Sequence, residues 1–116
     1  MPDFKSFEQR AKVLKAIADP VRLQIIEYLR EEEKCVCKII PAVGKKQPTV
    51  SKHLSILYDS GIVDRRIEGK WSYYRIKNPR IFILLKELDG IALDSASEAM
   101  DAAIKMKDAS RKELPQ

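Results

Sequence analysis

Along the first half of this chain, apolar residues recur at spacings of three and four. Phe4, Phe7, Ala11, Leu14 and Ile17 share one face of a predicted helix. Asp19-Pro20 ends that helix, because the residue before a proline is pushed out of the helical region. The same Asp19 can cap a second helix that opens on Pro20 and runs to about Arg30, burying Val21, Ile25, Ile26 and Leu29. A short third helix is expected within Cys35 to Val43. Pro41 cannot donate to the carbonyl of Cys37, which moves the expected start to near Ile39, and Gly44 ends it. After the Lys45-Lys46-Gln47 turn, a fourth helix starts at Pro48, buries Val50, Leu54 and Leu57, and stops at Gly61. Gln47, Thr49, Ser51, Lys52 and Ser55 occupy the rest of its surface.

The period then changes to two. Val63, Arg65 and Ile67 alternate with Asp64, Arg66 and Glu68, and Trp71, Tyr73 and Arg75 alternate with Ser72, Tyr74 and Ile76. Glu68-Gly69-Lys70 forms the hairpin turn between them. Asn78-Pro79 breaks the second strand. A last helix carries Ile81, Leu84, Leu85, Leu88 and Ile91, with apolar positions continuing through Ala99, Ile104 and Met106.

The elements predict a mainly α fold with one β-hairpin: a winged helix-turn-helix, with the helix-turn-helix at about 36–60 and the wing at about 63–76. At 116 residues there is room for a single domain, 1–116, with one modest core. Ile81 to Leu85, the longest dense apolar stretch, is far too short to cross a bilayer, and the N-terminus lacks an apolar signal segment behind a basic start. The expectation is a cytoplasmic protein with no membrane partner.

Charge adds a candidate partner. The net charge is +5, and its placement is more informative than its size. Lys45, Lys46, Lys52 and His53 fall in one short segment and Arg65, Arg66, Lys70 and Arg75 in the next, while Glu31-Glu32-Glu33 and the stretch from Asp89 to Asp101 hold much of the acid. A polar, basic fourth helix followed by a basic hairpin suits double-stranded DNA. In the major groove, amides and hydroxyls of the helix can read base edges while lysines meet phosphates. Arg65, Arg66 and Lys70 of the hairpin can reach an adjacent groove or the backbone. A winged-helix module that binds protein instead is the alternative from another class. Enzymatic chemistry has little to stand on: there is no histidine–carboxylate pairing beyond the lone His53, and no glycine-rich phosphate loop.

From Ile17 to Ile76, about half of the chain, the segments ADPVRLQII, KCVCKII, QPTVSKHLSIL, SGIV and GKWSYYRI resemble the ArsR/SmtB family of metal-responsive repressors. The resemblance implies a homodimer joined by its first and last helices, bound to an inverted-repeat operator and released by an inducer. The apolar stripes at both ends of the chain suit that interface. By position, the family's groove contacts fall on Gln47, Thr49, Ser51 and Lys52, with His53 and Ser55 nearby.

Cys35-Val36-Cys37 matches the family's CVC motif, which implies a soft-metal effector: arsenite or antimonite, or cadmium, lead or zinc. No cofactor is required. This chain departs from the arsenic-sensing form, which has a third cysteine where Ile40 stands. Because a disulfide across one residue closes almost no loop, the pair is expected as free thiols. Three roles stay open for them: soft-metal binding, oxidation sensing in a redox regulator, or small structural hydrophobes in an effector-independent one. Asp94, Glu98 and Asp101 share a face of the last helix, where the family's other metal site lies, but no histidine joins them.

Overall fold

The computed structural model describes residues 3–113; Met1, Pro2 and residues 114–116 of the expected 1–116 domain lie outside the described residues. Its elements are α1 (Phe4–Ile17), α2 (Pro20–Tyr28), β1 (Lys34–Cys35), α3 (Val36–Val43), α4 (Gln47–Asp59), β2 (Val63–Glu68), β3 (Trp71–Ile76) and α5 (Ile81–Glu113). The chain divides into two compact units, one up to Pro79 and one from Arg80.

In the first unit each boundary has a local cause. Asp19 caps α2 as expected: its Oδ1 accepts from the N–H of Val21 at 2.8 Å and of Arg22 at 3.1 Å, and Pro20 supplies the fixed φ of a first helical residue. Helix α2 stops at Tyr28, two residues short of the expected end. Gly44 adopts φ 66° after α3, the left-handed position where a side chain would be strained. Ile25, Ile26, Leu29, Ile39, Val50, Leu54, Leu57 and Val63 are the largest fully buried side chains. Each contributes about 1.5–3 kcal/mol of burial free energy, so the packing of α2, α3 and α4 is fixed by these few residues.

Two expectations about the middle of the chain are corrected. Helix α3 starts at Val36 rather than near Ile39 and keeps Pro41 inside it. Cys35 caps this start, its Sγ accepting from the Cys37 N–H at 3.2 Å, and the buried Ile39 and Val43 anchor the helix to the core. Burial of that face outweighs the one backbone hydrogen bond that the proline removes. The sheet also has three strands rather than two, in the order β1-β3-β2 and all antiparallel. The added strand is only Lys34 and Cys35, opposite Tyr74 and Tyr73. It is too short to show a period in the sequence.

The hairpin register pairs Val63 with Ile76 and Glu68 with Trp71, leaving Gly69 and Lys70 as a two-residue loop. Gly69 has φ 61° at the first loop position, where tight hairpins of right-handed twist favour glycine. The second unit is α5, whose 33 residues reach beyond Met106. On it Ile81 and Leu85 are buried, and Ile83, Leu88, Ile91, Leu93, Met100, Ile104 and Met106 are exposed. No helix among the described residues is long and apolar enough to cross a membrane.

Candidate nucleic-acid interface

Helix α4 carries the candidate recognition face. Val50, Leu54 and Leu57 at spacings of four and three turn into the core, which forces the intervening positions outward. Gln47, Thr49, Ser51, Lys52 and Ser55 are all exposed. The first turn contains no acidic residue and no side chain caps it, so its backbone N–H groups and partial positive charge remain open to an anion.

His53 lies apart from the exposed face. Its side chain is only 14% exposed and is held by α2: Nδ1 is 3.0 Å from Arg22 Nη1 and 4.0 Å from Asp19 Oδ1. Arg22 also donates from Nε to the Ala16 carbonyl at 2.6 Å and from Nη2 to the Lys15 carbonyl at 3.2 Å. Burial pushes the Asp19 carboxyl up, but the backbone N–H groups of Arg22 and Val21, with the charge of Arg22, outweigh it and hold the carboxyl below its ordinary 3.8. The position of Arg22 in the ADPVRL segment did not by itself reveal this role.

The wing places its cations on two faces. Successive residues of a strand point to opposite sides, so Arg65 stands opposite Tyr74 while Arg66 stands opposite Tyr73 on the other face. Arg66 is heavily engaged. It forks onto Glu33 at 2.6 and 3.2 Å, pairs with Glu68, and lies 4.4 Å from the centre of the Tyr73 ring. The Glu33 hydrogen bond, then that of Glu68, raises the Arg66 guanidinium further above its ordinary range, and the Arg66 bond holds Glu33 below the usual carboxylate range. Arg65 rests 4.7 Å over the Tyr58 ring at the end of α4, and Lys70 lies 5.4 Å over Trp71.

Cys35 and Cys37 are joined in a disulfide, their Cα atoms 5.1 Å apart. The expectation of two free thiols is therefore corrected. The extended Cys35 and the first turn of α3 bring both sulfurs to one end of the helix, a local geometry that the loop-closure argument did not weigh. Cys35 is buried and Cys37 exposed. Among the described residues no group of three or more His, Cys, Asp or Glu could hold a metal ion. Two sulfurs bonded to each other, with no third donor, do not fit a metal site as they stand. A cleft of about 350 Å³ joins the disulfide to Gln47 and Ser51 of α4 and to Lys70 and Trp71 of the wing.

A short sheet behind a two-helix turn, with the second helix exposed along a polar face, defines the winged helix-turn-helix class. Residues 19–65 match the family described as bacterial regulatory protein, arsR family. The chain is 44% identical over 86 residues to an HTH-type transcriptional regulator of Methanocaldococcus jannaschii, covering 73% of this chain and 97% of the relative. It is 33% identical to the probable mercury resistance operon repressor of Streptomyces lividans, over 83% of this chain and 76% of that one. Among solved structures, the homodimeric winged helix-turn-helix DNA-binding domain from Mycobacterium bovis superposes with a TM-score of 0.70 at 35% identity, covering 82% of this chain and 93% of that one. The protein belongs to the arsR family of bacterial regulatory proteins: it is a DNA-binding transcriptional regulator, not an enzyme.

Proposed function

We propose that the protein is a repressor that binds an inverted-repeat operator as a homodimer and leaves it when an effector acts at Cys35 and Cys37. The observation that carries DNA reading is the exposed row Gln47, Thr49, Ser51, Lys52 and Ser55 on a helix whose first turn holds no acid. Gln47 and Thr49 offer amide and hydroxyl groups to base edges; Ser51, Ser55 and Lys52 meet phosphates. Arg65 and Lys70 extend the contact from the wing, and Arg66 contributes mainly by fixing the wing against Glu33. His53 contributes by tying α4 to Arg22.

Pairing through α1 and α5 is supported by their exposed Phe4, Phe7, Leu14, Ile83, Leu88 and Ile91, and by the homodimeric Mycobacterium bovis relative. A regulator of this kind works in the cytoplasm, where its operator is. Selecting bound duplexes from a random-sequence pool tests the reading: the expected product is an inverted repeat with half-sites about one helical turn apart. Enrichment of no sequence would contradict it.

Two effector readings remain distinct. The mercury-repressor relative supports a soft metal or metalloid, of the arsenite, antimonite, cadmium, lead or zinc kind. That reading needs the pair reduced and a donor from outside the described residues. The disulfide favours the second reading, in which oxidation and reduction of the pair is itself the signal.

A further inference from the structure

The disulfide is asymmetric. Cys35 is buried at 7% exposure, with its backbone paired to Tyr73 of the wing and its sulfur accepting the Cys37 N–H. Cys37 is exposed and lines the 350 Å³ cleft. Gln47 and Ser51 form one wall of that cleft and Lys70, Trp71 and Ser72 another, and Lys70 is the only charged lining residue among the described residues. There is room here for a molecule of a few heavy atoms beside a sulfur that can be attacked.

We propose that Cys37 is a thiolation site for a small anionic thiol, which opens the Cys35–Cys37 disulfide from this cleft and lodges between Gln47 and Lys70. The thiolate of the incoming molecule attacks Cys37 Sγ, the Cys37–Cys35 bond breaks, and the electron pair leaves on Cys35 as a thiolate. Cys35 is the favourable leaving group, since its sulfur already accepts a backbone N–H at the start of α3. A second thiolate can then attack the sulfur of the incoming molecule, giving a small disulfide and the protein dithiol. Access sets the direction, because an attacking sulfur reaches the exposed Cys37 before the buried Cys35. Charge sets the preference on this side, because Lys70 attracts an anion and no carboxylate among the described residues lines this cleft. The cleft on the other side of Cys37 carries Glu32 and Glu33 with Lys34 and Lys38. The adduct would carry negative charge against Gln47 and Ser51, where a DNA phosphate or base edge would otherwise come. The inference rests on Cys35 and Cys37 being the effector site, and it concerns only the chemistry of that site.

The test uses the oxidised full chain without DNA, so failure of DNA binding leaves it unaffected. Mercaptoacetate (anionic) and cysteamine (cationic) serve as probes, their rates normalised to thiolate concentration and to exchange with a small reference disulfide. Peptide mass mapping of the acid-quenched adduct is expected to find the probe on Cys37. The normalised rate should favour mercaptoacetate, with Lys70→Gln lowering that preference about threefold and Lys70→Arg retaining it. An adduct on Cys35, or equally on both, overturns the proposal. So does a charge preference that Lys70→Gln leaves unchanged, or a chain that cannot be oxidised to the Cys35–Cys37 disulfide.

Discussion

Arg22 Nη1 stands 3.0 Å from His53 Nδ1, and a guanidinium can only donate. The imidazole therefore accepts at Nδ1 and carries its proton on Nε2. Because Arg22 also holds the carbonyls of Lys15 and Ala16, one side chain ties the end of α1 and the start of α2 to the middle of α4. The angle at which α4 is presented thus depends on a residue outside the exposed face.

Arg22→Ala is expected to cost about 1–2 kcal/mol of stability, since it strips partners from two carbonyls and a mostly buried ring. In urea the midpoint should fall with an unchanged m-value. An unshifted midpoint would show that this linkage contributes nothing.

Asp19 sets an acid limb. Its folded carboxyl titrates below the ordinary 3.8, so it contributes stability that is complete above that value and lost as pH falls through the folded one. Asp19→Ala should cost about 1 kcal/mol at neutral pH through loss of the cap. Thermal melts across pH should show the gap between wild type and variant closing only in acid. A gap that is constant down to pH values below 3.8 would contradict the assignment.

Pairing of two copies should depend on the apolar face of α1. Phe7 and Leu14 are both exposed on this single chain. Phe7→Glu combined with Leu14→Glu is expected to give a folded monomer in sedimentation at concentrations where wild type is a dimer. Wild type sedimenting as a stable monomer would remove the dimer from the account.

The two adjacent wing arginines should separate in experiment. Arg65→Ala is expected to lower the salt slope of DNA binding by about one, as loss of a phosphate contact does. Arg66→Ala should change that slope less, because Glu33 and Glu68 already engage its charge. Equal losses of slope would mean that Arg66 leaves its carboxylates for the backbone.

Much of this arrangement was legible from periodicity. The Asp19-Pro20 junction, the Val50-Leu54-Leu57 stripe and the alternation from Val63 to Ile76 each encode a local geometry that burial then fixes. What was not legible depends on tertiary partners. Lys34-Cys35 becomes a strand only because Tyr73 and Tyr74 are there to pair with it. Pro41 lies inside α3 because Ile39 and Val43 bury the face beneath it. Arg65 and Arg66 both read as wing cations in sequence; that Glu33 and Glu68 engage Arg66 while Arg65 lies over Tyr58 emerges only once the loop and α4 meet the wing. His53, expected near the groove contacts, has its ring held by a residue 31 positions earlier.

The central claim is that this face reads DNA, and a salt titration tests it most directly. Fluorescence anisotropy would follow wild type, Gln47→Ala and Lys70→Ala on the selected operator and on a scrambled duplex. For wild type, log affinity should fall linearly with log salt on both duplexes, with tighter binding to the operator. Gln47→Ala should reduce the difference between the duplexes by about 1–3 kcal/mol. Lys70→Ala should weaken both alike and flatten the slope. Salt-insensitive binding, or variants indistinguishable from wild type on both duplexes, would contradict the account.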